Sequence, residues 1–117
     1  MMKNIIVILV MTLFGFTTIA QEETAKTNKN AKVAFHVSGN CEMCKARIEK
    51  AAYSVSGVKT ADWHIDTGTL NLIMNENKTD IATIQKAIAK VGHDSDGVKA
   101  TDEDYDNLHT CCAYDRE

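Results

Sequence analysis

A change of hydrophobic period, made twice, constrains this chain more than any other feature. From Lys32 to Ser38 the pattern alternates, with Val33, Phe35 and Val37 on one side and Lys32, Ala34 and His36 on the other. A period of two is that of a strand with one buried face. From Glu42 to Ser56 the period lengthens. Cys44, Ile48, Ala51 or Ala52, and Val55 recur every three or four residues, and Gly57 suits the left-handed stop after a helix. Val58 to Ile65 returns to alternation through Ala61, Trp63 and Ile65. Asp66-Thr67-Gly68 is hairpin-turn chemistry, and Thr69 to Asn75 runs back with Leu70, Leu72 and Met74 on one face. Thr79 is placed to cap a second helix, in which Ile81, Ile84, Ile88 and Val91 keep helical spacing up to Gly92. A weak last strand is expected at about Ser95 to Ala100.

The order is β-α-β-β-α-β. Right-handed crossovers in both halves predict an α+β, ferredoxin-like sandwich: a four-stranded antiparallel sheet with two helices on one face. The chain's 117 residues suffice for one such domain. Apolar residues at 44% and charged residues at 25% exclude a wholly disordered, collagen-like or multi-spanning membrane protein. A net charge of −3 argues against a nucleic-acid binder, which carries a basic surplus.

The flanks read differently. Residues 1–20 have the order of an export signal: Lys3, an apolar stretch from Ile5 to Phe16, then Thr18 and Ala20 as small residues before a cleavage point. The alternative is a membrane anchor, although the run is shorter than the roughly 20 residues a spanning helix needs. Cleavage would leave a periplasmic or secreted chain. Residues 21–30 are polar without periodicity and read as a flexible linker. The domain occupies 31–100, and 101–117 is an acidic extension containing two cysteines.

The chemistry is concentrated in Cys41-Glu42-Met43-Cys44, at the turn between the first strand and the first helix. A helix start carries partial positive charge and free N–H groups, which favour thiolate. Two thiolates with two residues between them can converge on one ion, and soft sulfur selects Cu(I), Zn(II) and similar ions over Mg or Ca. By itself a C-x-x-C is equally a redox disulfide. Glu42 is a first-turn helix acid rather than a catalyst. No nucleophile-base pair, phosphate loop or acid-base set stands out, so no enzymatic activity is expected.

With Val37-Ser38-Gly39-Asn40-Cys41-Glu42-Met43-Cys44, then Ile48, Gly57-Val58, Ile84, Ala87, Ile88 and Gly92, the chain resembles the heavy-metal-associated domain family. That family includes copper chaperones, the amino-terminal modules of copper-exporting ATPases and periplasmic mercury-binding proteins. The resemblance covers about Lys32 to Ala100 and implies that Cys41 and Cys44 bind the metal, with Hg(II) added to Cu(I) and Zn(II). Two departures stand out. The family usually has Gly-Met-x-Cys where this chain has Gly39-Asn40-Cys41, and His93 follows Gly92 where an aromatic or Lys is common. His93 is a candidate to ligate or tune the thiolates; the alternative is a solvated histidine in a turn.

Beyond the resemblance, Thr101 caps an expected short helix over Asp102 to Leu108 that buries Tyr105 and Leu108. From Asp94 onward eight acids face two bases. Leu108-His109-Thr110-Cys111-Cys112 then offers two further thiols and an imidazole. Three readings compete. Cys111, Cys112 and His109 fold over the first loop and complete a Cys-rich metal site; or they form a separate acceptor site; or export turns the four cysteines into disulfides of a redox or structural module. The expected partners are a metal ion and a membrane metal transporter or a basic-surfaced accepting domain.

Overall fold

The computed structural model describes residues 28–116. The expected export signal, most of the linker and Glu117 lie outside the described residues. Three strands, β1 (Ala31–His36), β2 (Val58–His64) and β3 (Thr69–Met74), alternate with two main helices, α1 (Glu42–Tyr53) and α2 (Ile81–Lys90). A short helix α3 (Asp102–Asp106) and a 3-10 turn (Thr110–Cys112) follow.

β3 is central and antiparallel to both neighbours, in the order β1-β3-β2. The register places Phe35, Leu70 and Trp63 in one row across the sheet and Val33, Leu72 and Ala61 in the next. These rows form the inner face. Onto them pack Cys44, Ile48, Ala51 and Ala52 of α1 and Ile84 and Ile88 of α2, so one core holds both helices against one side of the sheet. Lys32, His36, Asp62, His64 and Asn71 occupy the other, exposed face. Full burial of side chains of this kind contributes about 1.5–3 kcal/mol each.

Helix limits follow local chemistry. α2 is capped by Asp80, whose carboxylate accepts the Thr83 N–H at 2.8 Å, rather than by the expected Thr79. α1 stops at Tyr53, and the chain turns back at Gly57 with φ 103°. Ile81 begins α2 largely exposed, so the buried stripe of that helix is Ile84, Gln85, Ile88 and Ala89.

The expected fourth strand is corrected to a tight turn beside β1. Ser95 bridges Val37, with Asp96 N–H donating to His36 O and Ser38 N–H to Asp94 O, but the pairing goes no further. Ser95 and Val98 bond to each other's backbone at 2.8 and 3.1 Å, and Gly97 takes φ 79°. The amide of Ala100 donates to the Asp94 carboxylate at 2.7 Å. The backbone groups a fourth ladder needs are thus spent inside the turn and on Asp94, because Asp-Ser-Asp-Gly favours local turn bonds over extension.

Candidate metal centre

β1 ends at His36, and the loop Ser38-Gly39-Asn40 leads to Cys41 at the cap position of α1. The loop lies on Trp63, which is fully buried. Its indole N–H is shared between Val37 O at 3.1 Å and Gly68 O at 3.2 Å, tying the end of β1 to the β2–β3 turn. A side-chain carbon on Gly39 would come to 3.0 Å from Cys44 Cβ and 3.1 Å from the Trp63 ring, so any other residue would push these neighbours back by a few tenths of an ångström. The first turn of α1 is held laterally by Lys45, whose ammonium donates to Glu49, Asp62 and Trp63 O at 2.8, 2.8 and 2.9 Å.

The chain after α3 returns over this loop. Arg116 clamps it in place: its guanidinium grips both Asp94 oxygens at 2.9 Å and also reaches Ala100 O and Asp102. The buried Tyr114 hydroxyl donates to Gly92 O and accepts from Asp94 N–H, both at 2.8 Å. Tyr105 meets the Tyr114 ring edge-on and hydrogen-bonds Tyr114 O. The tail is a packed strap, and its acids are partly consumed in holding it down.

The strap sets the 3-10 turn against Cys41. Cys41 Sγ lies 3.3 Å from Cys44 Sγ, 3.3 Å from Cys112 Sγ and 3.7 Å from Cys111 Sγ. Cys111 and Cys112 are 3.9 Å apart through their sulfurs. The donor atoms of Cys41, Cys111 and Cys112 all lie within 4.8 Å of one another. Cys44 and Cys112 are fully buried, Cys41 is half-buried and Cys111 is exposed. All four are free thiols here. Cys44 also points at Asn40 Oδ1 at 3.5 Å. At a Zn–S bond of 2.3 Å, tetrahedral thiolates lie roughly 3.8 Å apart, close to the separations among Cys41, Cys111 and Cys112, while Cys44 approaches through Cys41 and stands outside that mutually clustered trio.

The two histidines are placed elsewhere. His109 is exposed and caps the 3-10 turn, its carbonyl accepting the Cys112 N–H; its ring is not among the converging donors. His93 is fully buried, so the solvated-turn alternative is corrected. Its ring stacks on Tyr114 at 5.6 Å, and its Nδ1 donates to Ser38 O at 2.8 Å. It supports the backbone that leads into the loop, and its Nε2 has no hydrogen-bond partner among the described residues. Burial holds the imidazole below its ordinary value, which keeps it neutral at pH 7.

Burial acts on Cys41 to raise its pKa, but hydrogen bonds from Cys44, main chain and thiol, and from Cys112 and Cys111 outweigh it and bring the thiol down to about 7. Burial pushes Cys112 up, reinforced by the neighbouring Cys44 and Cys41. In the metal-free reduced protein, alkylation of Cys41 should therefore rise through a midpoint near pH 7 while Cys112 stays unreactive. Peptide mass mapping after brief iodoacetamide pulses across pH 5 to 9 checks this; equal labelling of both thiols at every pH would contradict it.

Sequence reasoning did not find Trp63 as the floor of the loop, nor the roles of Asp94, Tyr114 and Arg116. The available signal was slight: two tyrosines and a lone arginine in an otherwise polar, acidic tail.

A small α+β domain that gathers thiols at a strand-to-helix turn belongs to the class of thiol-lined metal-binding folds. The chain belongs to the heavy-metal-associated domain family, whose model matches residues 34–94, just over half of its length. It is 37% identical over 67 residues to a copper-exporting P-type ATPase of Bacillus subtilis (strain 168), covering 56% of this chain but only 8% of that protein. Among solved structures it is similar to the CopZ metallochaperone, at 26% identity and TM-score 0.54, covering 56% of this chain and 98% of that one. It is also similar to oxidized MerP from Ralstonia metallidurans CH34, at 28% identity and TM-score 0.54, covering 56% and 93%. The matched family region stops at residue 94, before the strap and its two cysteines.

Proposed function

We propose that this protein is an exported carrier or sequestering protein for a soft metal ion, Cu(I), Zn(II) or Hg(II), and not an enzyme. The observation that carries the reading is the gathering of three thiols around Cys41 Sγ, with Cys44, Cys111 and Cys112 at 3.3–3.7 Å and Cys41, Cys111 and Cys112 mutually within 4.8 Å. Cys41 and Cys44 are the primary pair; Cys111 and Cys112 raise the sulfur count to the four that a closed tetrahedral site requires. The copper-exporting relative supports copper as cargo, held as Cu(I) by soft sulfur, and a membrane metal transporter as partner. A basic-surfaced accepting domain also suits the acidic tail beside the site. His93 acts by positioning the loop, and His109 is left without a ligand role.

The export signal supports a periplasmic or secreted location, with a mature chain beginning at Gln21. The test uses protein recovered from the exported fraction, its intact mass taken first and Cu(I) then titrated against a competing chelator. Cys41→Ser with Cys44→Ser should abolish high-affinity binding, a loss of at least about a thousandfold. Unchanged affinity would sink the reading.

A second reading, a thiol-disulfide redox module, is favoured by one observation: the acidified Cys41 thiol faces Cys44 and Cys112 at equal distances of 3.3 Å. Non-reducing peptide mapping of the exported protein separates the two, since a stable Cys41 disulfide excludes metal from that sulfur.

A further inference from the structure

The sulfur cluster has two unlike ends. Its inner end is Cys44 and Cys112, both without solvent exposure. Its outer end contains a fifth sulfur that the four-thiol description leaves out. Met43 stands in the first turn of α1 with 46% of its surface exposed, and its Sδ lies 3.3 Å from Cys111 Sγ. Its thioether is turned to the one exposed cysteine. Cys41 is common to both ends, being 3.7 Å from Cys111 and 3.3 Å from each inner thiol.

The donor chemistry separates the metals. Zn(II) sites are built from thiolate, imidazole and carboxylate, whereas thioether sulfur is a ligand that Cu(I) accepts. A methionine is also the one apolar side chain that is both soft and flexible enough to follow an ion at the surface.

Resting on the metal-carrier reading, we propose that Met43, Cys111 and Cys41 form an outer Cu(I) subsite at the mouth of the cluster, with the Met43 thioether as a ligand that favours Cu(I) over Zn(II). Cu(I) binds there without change of oxidation state. Each thiol that becomes a ligand releases its proton to water, and the thioether has none to release. Cys41 can remain bonded while the ion exchanges Cys111 and Met43 for the inner thiols.

The test compares the full chain with Met43→Leu, which keeps side-chain volume and helix propensity. Met43→Leu should lower Cu(I) affinity, or the rate of Cu(I) uptake from a chelator, by at least about tenfold, with Zn(II) affinity unchanged. In the Cu(I)-loaded, selenomethionine-substituted protein, selenium-edge X-ray absorption should show copper at bonding distance, and that signal should vanish in Met43→Leu. A chain that binds Cu(I) through Cys41 and Cys44 but shows no copper neighbour of selenium and no change in Met43→Leu overturns this subsite and leaves the carrier reading standing. A parent chain that binds no Cu(I) overturns both. Equal losses of Cu(I) and Zn(II) in Met43→Leu would make the residue structural and overturn the subsite.

Discussion

A chain ending at Leu108 is expected to bind Zn(II) at least about a thousandfold more weakly than the full chain. Two thiols remain in such a chain, whereas a closed zinc site takes four ligands. Structural zinc sites bind with about 10–16 kcal/mol, roughly 2.5–4 kcal/mol per ligand, so losing two ligands removes about 5 kcal/mol or more. Cu(I) affinity should fall much less, because two sulfurs satisfy that ion's low coordination number. Truncation also strips away the strap held by Arg116 and Tyr114, which leaves Cys41 and Cys44 open to alkylation. A second variant, Cys111→Ser with Cys112→Ser in the full chain, keeps the strap and removes only the sulfurs. It should reproduce the zinc loss. If both variants bind Zn(II) as the parent does, and truncation leaves Cys41 and Cys44 labelling unchanged, the four-thiolate site is wrong.

Trp63→Ala should leave the domain largely unfolded at 37 °C. The indole is fully buried in the centre of the core. Removing a buried Trp costs about 3–5 kcal/mol, a large part of the 5–15 kcal/mol that holds a whole domain together. Two carbonyls, Val37 O and Gly68 O, also lose its N–H. Trp63→Phe retains most of the ring and forfeits that donor, a cost of about 1–3 kcal/mol. Circular dichroism during thermal melting is the measurement, since Trp63 is the chain's single tryptophan and its own fluorescence is lost in both variants. For Trp63→Phe, Cys44 should also become more reactive, because the end of β1 that leads into the loop loses the indole N–H that ties it to the β2–β3 turn. A Trp63→Ala melting temperature within a few degrees of the parent would show that the loop and core do not depend on this side chain.

The inner face of the sheet was legible in advance because strand burial has a period of two: Phe35, Leu70, Leu72 and Trp63 point inward as their alternation requires. The Ile84 and Ile88 stripe and the C-x-x-C at the start of α1 were legible for the same kind of reason, being local patterns with local causes. The fourth strand was misread because alternation in Ser95 to Ala100 is weak and short: the Asp96 carboxylate takes the His36 N–H of β1, Gly97 turns the chain, and the Asp94 carboxylate accepts the Ala100 N–H. The same carboxylate then became the anchor for Arg116.

His93 illustrates the limit. A histidine after a helix-ending glycine carries no sequence mark of burial; the return of Tyr114 across it, 21 residues later, supplies that burial. The sequence by itself determined the three strands and the two main helices, where the first thiol pair sits and why that position favours thiolate, because backbone period, turn residues and helix-end electrostatics act within a few residues. Only the tertiary structure decided that Cys111 and Cys112 join Cys41, that Met43 turns its sulfur outward to Cys111, and that His109 does not take part. Those contacts span about 70 residues of chain and depend on a strap whose grip comes from long-range pairing of Arg116 and Tyr114, for which no periodic pattern exists.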